Sequence, residues 1–353
     1  MVPAGQGVRP GSPKDYYQGS NCTRVQGHAI LTAATDWGVV LASKFFNALS
    51  RREALALVGA AALTSPALQA GGHARRVAFD PKSARQNLDV FIRITGSADP
   101  DEEVLMHNQA RVFSVIGDDE ILRPLFDMEG FKIRRSVALD DGGYHILQRE
   151  VFVYKDLESG EIINEWFNPF TGETVEVVHL FNNPVNHHIT TVFPRYYNPG
   201  TEERQVEPEP FVMPWSILGD EATFFFDTNT KWKNVLDPKI WKRESTGEYV
   251  RVTESEWYTA SLADIENPDL ASVPYVGGWS RLGPWLPWMF MGGRPGHLRY
   301  RGKKTKLDAI ADLNEPLRSY VREVHGDLHA PTEFTEPNES SFESYARSHK
   351  PRA

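Results

Sequence analysis

The chain is almost without cysteine. Its 353 residues hold one, Cys22, close to the N-terminus. From Gly71 onward there is none, which removes disulfides, thiolate nucleophiles, iron–sulfur clusters and Cys-ligated zinc from that part together. Long apolar runs are missing as well: no segment after Ala70 approaches the length of a membrane span, so no integral membrane segment is expected there. Ser280 sits in Gly278-Trp279-Ser280-Arg281-Leu282, not in a G-x-S-x-G elbow. There is no Walker loop, no G-x-G-x-x-G after a strand and no H-E-x-x-H. Nucleotide cofactors and familiar hydrolase machinery are thereby disfavoured. Positive charge is also scarce. The whole chain carries −9; the first seventy residues hold six of the 38 basic and three of the 47 acidic side chains, so the remainder carries −12. That balance argues against nucleic acid and anionic membrane surfaces as partners.

What is present begins with Ser50-Arg51-Arg52-Glu53-Ala54-Leu55 and the apolar run after it. Two arginines before a short hydrophobic stretch form a twin-arginine export signal, and Ser65-Pro66-Ala67 and Leu68-Gln69-Ala70 each end in the small residue a signal peptidase needs. The twin-arginine translocase carries folded proteins, so a periplasmic or otherwise exported location is expected. Residues 1–40 read as an over-extended gene start, with a genuine disordered extension as the competing reading. The domain plan is then a signal peptide at 41–70, one β-rich domain at 71–329 and a loose tail, rich in Glu, Ser, Pro and Asn, at 330–353.

The β reading rests on period and punctuation. Residues 110–116, 131–139, 143–155, 161–168, 174–181, 187–193, 222–228 and 248–258 are rich in Val, Ile, Phe, Tyr and Trp, with Gly, Asn, Asp or Pro between most of them. Ser159-Gly160, Thr171-Gly172 and Thr246-Gly247 place Gly where a type I turn with a bulge wants a left-handed residue. Short loops force antiparallel pairing. The expectation is a mainly β fold, an antiparallel meander curling to a barrel or strongly twisted sheet, with a few peripheral helices. One helix is expected over 81–96, with Leu88, Phe91 and Ile92 on a shared face. Another, over 307–325, must kink or split at Pro316.

Three clusters could carry chemistry. If residues 182–185 form a hairpin loop, His179 faces His188 across it, with Cβ atoms about 5 Å apart. Such a pair could relay a proton or weakly hold a metal; two half-buried histidines satisfied by carbonyls is the plain alternative. No cofactor is otherwise expected. On the strand 144–154, Gln148, Glu150 and Tyr154 share one face, and Glu165 and Trp166 lie on a neighbouring strand. A carboxylate among aromatics would have a raised pKa and suit acid–base work. Arg111, Arg134 or Arg135 could instead neutralise it, and Arg111 and Arg135 are also candidate ligand contacts. The third cluster, Trp279, Trp285, Trp288, Met289, Phe290 and Met291 among Gly and Pro, reads as an irregular loop that walls a pocket or plugs one end of the sheet.

Trp166-Phe167-Asn168-Pro169-Phe170-Thr171-Gly172-Glu173, Asn183-Pro184-Val185-Asn186 and the Arg149-Glu150 strand resemble a bacterial and fungal family known as domain of unknown function eighteen-thirty-eight. The resemblance spans roughly residues 79–322. Bacterial members often carry twin-arginine signals; the family implies no activity and no catalytic residues.

The expected function is an exported enzyme of isomerase, cyclase, lyase or hydratase type, acting by acid–base chemistry on a small apolar, aromatic or terpenoid molecule. A carrier of the same ligand without turnover is the alternative, and a structural or partner-binding envelope domain the second. A deep pocket containing Glu150, Glu165 or the His pair favours the enzyme. A purely apolar pocket favours the carrier.

Overall fold

Alternating apolar residues, turned back at glycines, build one large antiparallel sheet. The computed structural model describes residues 76–117, 122–193 and 208–352, all within a unit spanning Gly72–Ala353. The export signal expected at 41–70, and the extension before it, lie outside the described residues. The sheet begins with three long strands, β1 (Val104–Val115), β2 (Arg123–Ala138) and β3 (Tyr144–Lys155). Two short strands, β4 (Glu165–Asn168) and β5 (Glu173–Glu176), form a separate hairpin. β6 (Leu180–Asn182) and β7 (His187–Ile189) line the free edge of β3. Five more strands follow: β8 (Trp215–Leu218), β9 (Glu221–Lys233), β10 (Tyr249–Ser261), β11 (Val276–Gly283) and β12 (His297–Leu307). The order is β6-β3-β2-β1-β12-β11-β10-β9-β8, ten strands in all with β7 beside β3. The first long strand thus pairs with the last, Ala110 opposite Gly302.

The sheet is mainly antiparallel and strongly curled, as expected, but it does not close into a barrel. The segment after β7 meets the segment before β8 at an isolated bridge, Val192–Pro210, and among the described residues no ladder joins the edges. Glycines permit the curl. A Cβ on Gly130 of β2 would lie 2.1 Å from the Val151 carbonyl oxygen, and one on Gly302 of β12 would lie 2.3 Å from that of Gln109. Only a residue without a side chain lets neighbouring strands bend that closely. Gly160 and Gly172 take the left-handed conformation expected at their turns, with φ of 72° and 75°.

Three apolar clusters fix the curled sheet. Inside its concave face, at one end, α1 (Ala84–Thr95) is N-capped by the Ser83 side chain and buries Leu88, Phe91 and Ile92 against Ile146, Phe224 and Tyr258. Each such side chain contributes roughly 1.5–3 kcal/mol on burial. At the other end Trp285, Trp288, Met289 and Met291 pack on Val112, Phe126 and Phe152. On the convex face Leu313, Leu317 and Val321 cover Leu105, Phe131, Val151 and Val153.

Several local expectations are corrected. The helix expected over 307–325 does split at Pro316, and α3 (Leu317–His325) starts after that residue; the part before it is not α-helix, since β12 runs through to Leu307 and a 3₁₀ turn follows at Ile310–Asp312. β11 begins the Trp-rich stretch as a regular strand; Gly277 and Gly278 face the Trp257 backbone and side chain instead of breaking the ladder. Only beyond Gly283 does the chain become irregular, with a 3₁₀ turn at Pro287–Met289. The residues expected as a loose tail contain a capped helix, α4 (Ser341–Ser348). Ser340 and Glu343 form its capping box, and Phe342 and Tyr345 are buried. A short α2 (Leu262–Ile265) follows β10.

The expected hairpin bringing His179 to His188 is absent. β6 and β7 do not pair with each other; both pair with β3 in succession, Val151 with Phe181 and His145 with His188. The chain between them is pinned alongside β3. Val185 N donates to the Gln148 carbonyl at 2.8 Å, and Gln148 N donates to Asn186 Oδ1 at 3.1 Å. An asparagine side chain there takes the place of a backbone acceptor, so the loop advances along the strand and does not reverse.

Candidate functional site

Alternation along the long strands sends even-numbered residues of β1, β2, β3, β9, β10 and β12 to the concave face. Because the sheet curls, β3 and β9, far apart in strand order, face one another across empty space. Two adjoining cavities fill it, one of about 270 Å³ towards the Trp-rich end and one of about 240 Å³ towards α1. Lys132, Glu150, Glu254 and Glu256 border both. The concave face therefore carries apolar packing at each end and a charged belt between.

Glu150 is the centre of this belt. Lys132, its direct cross-strand neighbour, places Nζ 3.3 Å from Oε1. Gln148 Nε2 donates to Oε1 at 3.2 Å and Asn182 Nδ2 to Oε2 at 2.9 Å. Burial alone would raise the Glu150 pKa and is the largest single influence, but the Lys132 charge and the Asn182 hydrogen bond together outweigh it, and the net shift is downward. The expected raised pKa is thus corrected: the residue is held as a carboxylate. Its ion-pair partner is Lys132 and none of the three arginines considered. Both amides that donate to it leave their oxygens, Gln148 Oε1 and Asn182 Oδ1, buried without a partner.

A second group lies across the belt. Lys304 Nζ is 2.8 Å from Glu256 Oε2 and donates to the Tyr258 hydroxyl at 2.9 Å; that hydroxyl in turn donates to Glu256. Lys304 is 1% exposed. Burial lowers its pKa to about 8 even though Glu256 acts to raise it. For Glu256 burial again pushes upward, and the Lys304 and Lys132 charges hold it down at about 2. Glu254 accepts from Trp279 Nε1 at 3.2 Å and Arg281 Nη1 at 3.1 Å. His187 borders the inner cavity, and burial lowers its pKa to about 4, so it is neutral.

The expected site residues separate cleanly. Glu150, Tyr154 and Trp279 border the outer cavity. Trp285 is fully buried against Phe170 and lines neither cavity: it is packing. Trp166 and Trp288 stack near-perpendicularly on each other within the same core. Glu165 is exposed on β4, opposite Glu176. Arg111 pairs with Asp127 and Arg135 with Glu103, both on the convex side. His188 is exposed and 3.3 Å from Asp141. His179 accepts from Tyr154 N at 3.3 Å through Nδ1, and its Nε2 is buried without a partner in a small side cavity. As neither faces the other, they do not form the paired site. Among the described residues no three His, Cys, Asp or Glu side chains gather in metal-binding geometry.

Lys132, Glu254, Glu256, Tyr258, Arg281 and Lys304 were missed. The signal was available on β10, where Val250, Val252, Glu254, Glu256, Tyr258 and Ala260 share a face that is otherwise apolar. Carboxylates at such positions need partners inside the protein.

A family model described as a protein of unknown function (DUF1838) matches residues 101–349. The chain belongs to this family. The DUF1838 region includes every strand of the sheet and α4, so it extends beyond the resemblance at the C-terminal end; α1 precedes it. Apart from Phe91 and Thr95, all residues lining the two cavities lie inside the DUF1838 match. No curated protein matches the chain.

Proposed function

We propose that the curled sheet is an enzyme that moves protons on a small, largely apolar molecule, of aromatic or terpenoid type, held in the concave cavities. One observation carries this reading. The Glu150 carboxylate and the Tyr258 hydroxyl, which is joined to the buried Lys304, border the same inner cavity. Glu150 is ionised and fixed in place by three donors, so it can accept a proton, as a weaker base than a free carboxylate. Lys304, with its pKa lowered to about 8, is a better acid than a free lysine. Tyr258 is held as a phenol by burial and the Glu256 charge, so it can pass a proton to the substrate only as Lys304 replaces it through their hydrogen bond. Removal of one proton and delivery of another describes isomerase, lyase and hydratase chemistry alike. Trp279 and Tyr154 supply an aromatic wall.

The test is solvent deuterium incorporation into a panel of aromatic and terpenoid carbonyl compounds, followed by mass spectrometry. Glu150→Gln should lower exchange by about 10²–10⁴-fold and retain binding, read by Trp279 fluorescence. Exchange at an undiminished rate in that variant rules Glu150 out as the base. The carrier reading has its own support, since a carboxylate with three donors is already satisfied. Binding without exchange in the unaltered protein selects it, and no binding at all selects a structural or partner-binding domain.

The location proposed for this chemistry is outside the cytoplasm, reached through the twin-arginine translocase. Arg51→Lys with Arg52→Lys should strand folded protein in the cytoplasm on cell fractionation; unchanged export refutes the assignment.

A further inference from the structure

Charge on the concave face does not balance. Lys132, Arg281 and Lys304 each have a carboxylate partner, at 3.3, 3.1 and 2.8 Å. Arg134 has none among the described residues. It is 6% exposed and borders the inner cavity. It donates one hydrogen bond, from Nη1 to the Thr95 carbonyl at 2.9 Å, and its Nε is buried without an acceptor. Thr95 ends α1, so that bond caps the helix, and a helix C-terminus offers about half a negative charge. Lys306 already takes that end, with Nζ 2.8 Å from the carbonyls of Arg93 and of Gly96. Two cations therefore share that helix end, and the carboxylates nearest in charge to Arg134, Glu256 and Glu150, are already paired with Lys304 and Lys132. The inner cavity's wall is mixed: Gln148, the cross-strand neighbour of Arg134, lies on it with Glu150 and Glu256, and so do Phe91, Met106, Ile189, Phe211 and Phe226.

We infer that the cavities take a monoanionic organic acid, with its carboxylate against Arg134 and its apolar body running past Glu150 towards Trp279. This rests on the ligand-site reading above and adds the class of ligand. Of Arg134 and Lys306, Arg134 alone borders the cavities, so the wall offers one cation without a carboxylate to one negative charge, and guanidinium groups are well matched to carboxylates. A phosphate ester would bring a second charge beside Glu150 and Glu256 with no cation left to meet it.

The experiment uses the purified full chain and a series of arylalkanoic acids, their methyl esters and the corresponding aryl phosphates. Binding is followed by tryptophan fluorescence. At least one acid should bind about tenfold or more tighter than its ester, the worth of a charge-assisted hydrogen bond, and tighter than its phosphate. Arg134→Gln should bring the acid-to-ester ratio near one while ester binding persists. Esters binding as well as acids across the series overturns the inference, as does phosphate preference or an acid preference that survives in folded Arg134→Gln protein. If that variant does not fold, a crystal structure of the acid complex decides: a carboxylate within hydrogen-bond distance of Arg134 upholds the assignment, and one bound elsewhere ends it. Acid preference without deuterium exchange leaves this inference standing and removes the catalytic one. Exchange on neutral compounds without acid preference does the reverse.

Discussion

Glu129 and Glu150 sit on opposite faces of the same sheet, and the contrast between them separates scaffold from site. Each is a mostly buried carboxylate, and each has three donors. Glu129, on the convex side, receives His107 Nε2 at 2.9 Å, Gln109 Nε2 at 3.0 Å and Lys155 Nζ at 2.7 Å. Burial acts to raise its pKa, yet those partners bring it to about 2. Glu150 is lowered for the same kind of reason. Neither pKa marks a functional group. What differs is the surroundings: Glu129 borders none of the described cavities, whereas Glu150 borders two and its amide neighbours keep unpaired oxygens. A shifted carboxylate is common wherever charge is buried. A shifted carboxylate beside empty space and unsatisfied acceptors is what points to a ligand.

The contrast is sharpest in stability. Glu129→Ala should cost about 3–5 kcal/mol, because it strands Lys155 and His107 without their common anion. Glu150→Ala should cost less, about 1–3 kcal/mol, since water entering the cavity can solvate Lys132, Gln148 and Asn182. Denaturant midpoints check both. Equal losses would erase the distinction between a solid and a hollow side.

Acid provides the next test. A carboxylate whose folded pKa is depressed stabilises the fold above its unfolded value and loses that contribution as pH falls through the folded one. Glu129 and Glu256 both go from an ordinary 4.5 to about 2. Stability should therefore be level in this respect above pH 4.5 and decline from there towards pH 2. Glu129→Gln should flatten part of that decline in thermal melts at pH 5, 4 and 3. An unchanged slope would mean the ion cluster does not form in solution.

The smallest effect is expected at Trp279. Its ring borders the outer cavity, so Trp279→Phe should lower stability by less than about 1.5 kcal/mol, and the ligand-dependent part of the fluorescence should disappear. A loss as large as that of a core tryptophan would place the residue in the packing beside Trp285.

Much of the architecture was legible. Period-two alternation located most of the sheet, hydroxyl–glycine pairs located the turns at Gly160 and Gly172, and Leu88, Phe91 and Ile92 announced α1. Glu150 was legible too, as a charge on an apolar strand face. Its partner was not, because a strand residue fixes which face it occupies and says nothing of which strand lies alongside. Lys132 meets Glu150 through the register of β2 on β3, and Lys304 on β12 meets Glu256 on β10 across the intervening β11. The histidine pairing failed for a related reason. A loop of Asn, Pro and Val can reverse a chain or advance it, and the Asn186 side chain, bonding to the edge of β3, selected the second.

By itself, then, the sequence determined the class of the fold, the absence of thiol chemistry after Cys22, the net acidity and the presence of an inward carboxylate on β3. These follow from side-chain types and local spacing, which need no partner to be known. Tertiary structure alone decided that the sheet stays open, that α4 belongs to the cavity wall and that the aromatic stretch divides between strand and plug. It also decided which ions pair and that Arg134 is left over. Curl brings β3 opposite β9 across a shared space, and charge balance in that space is a property of five strands together, β2, β3, β10, β11 and β12.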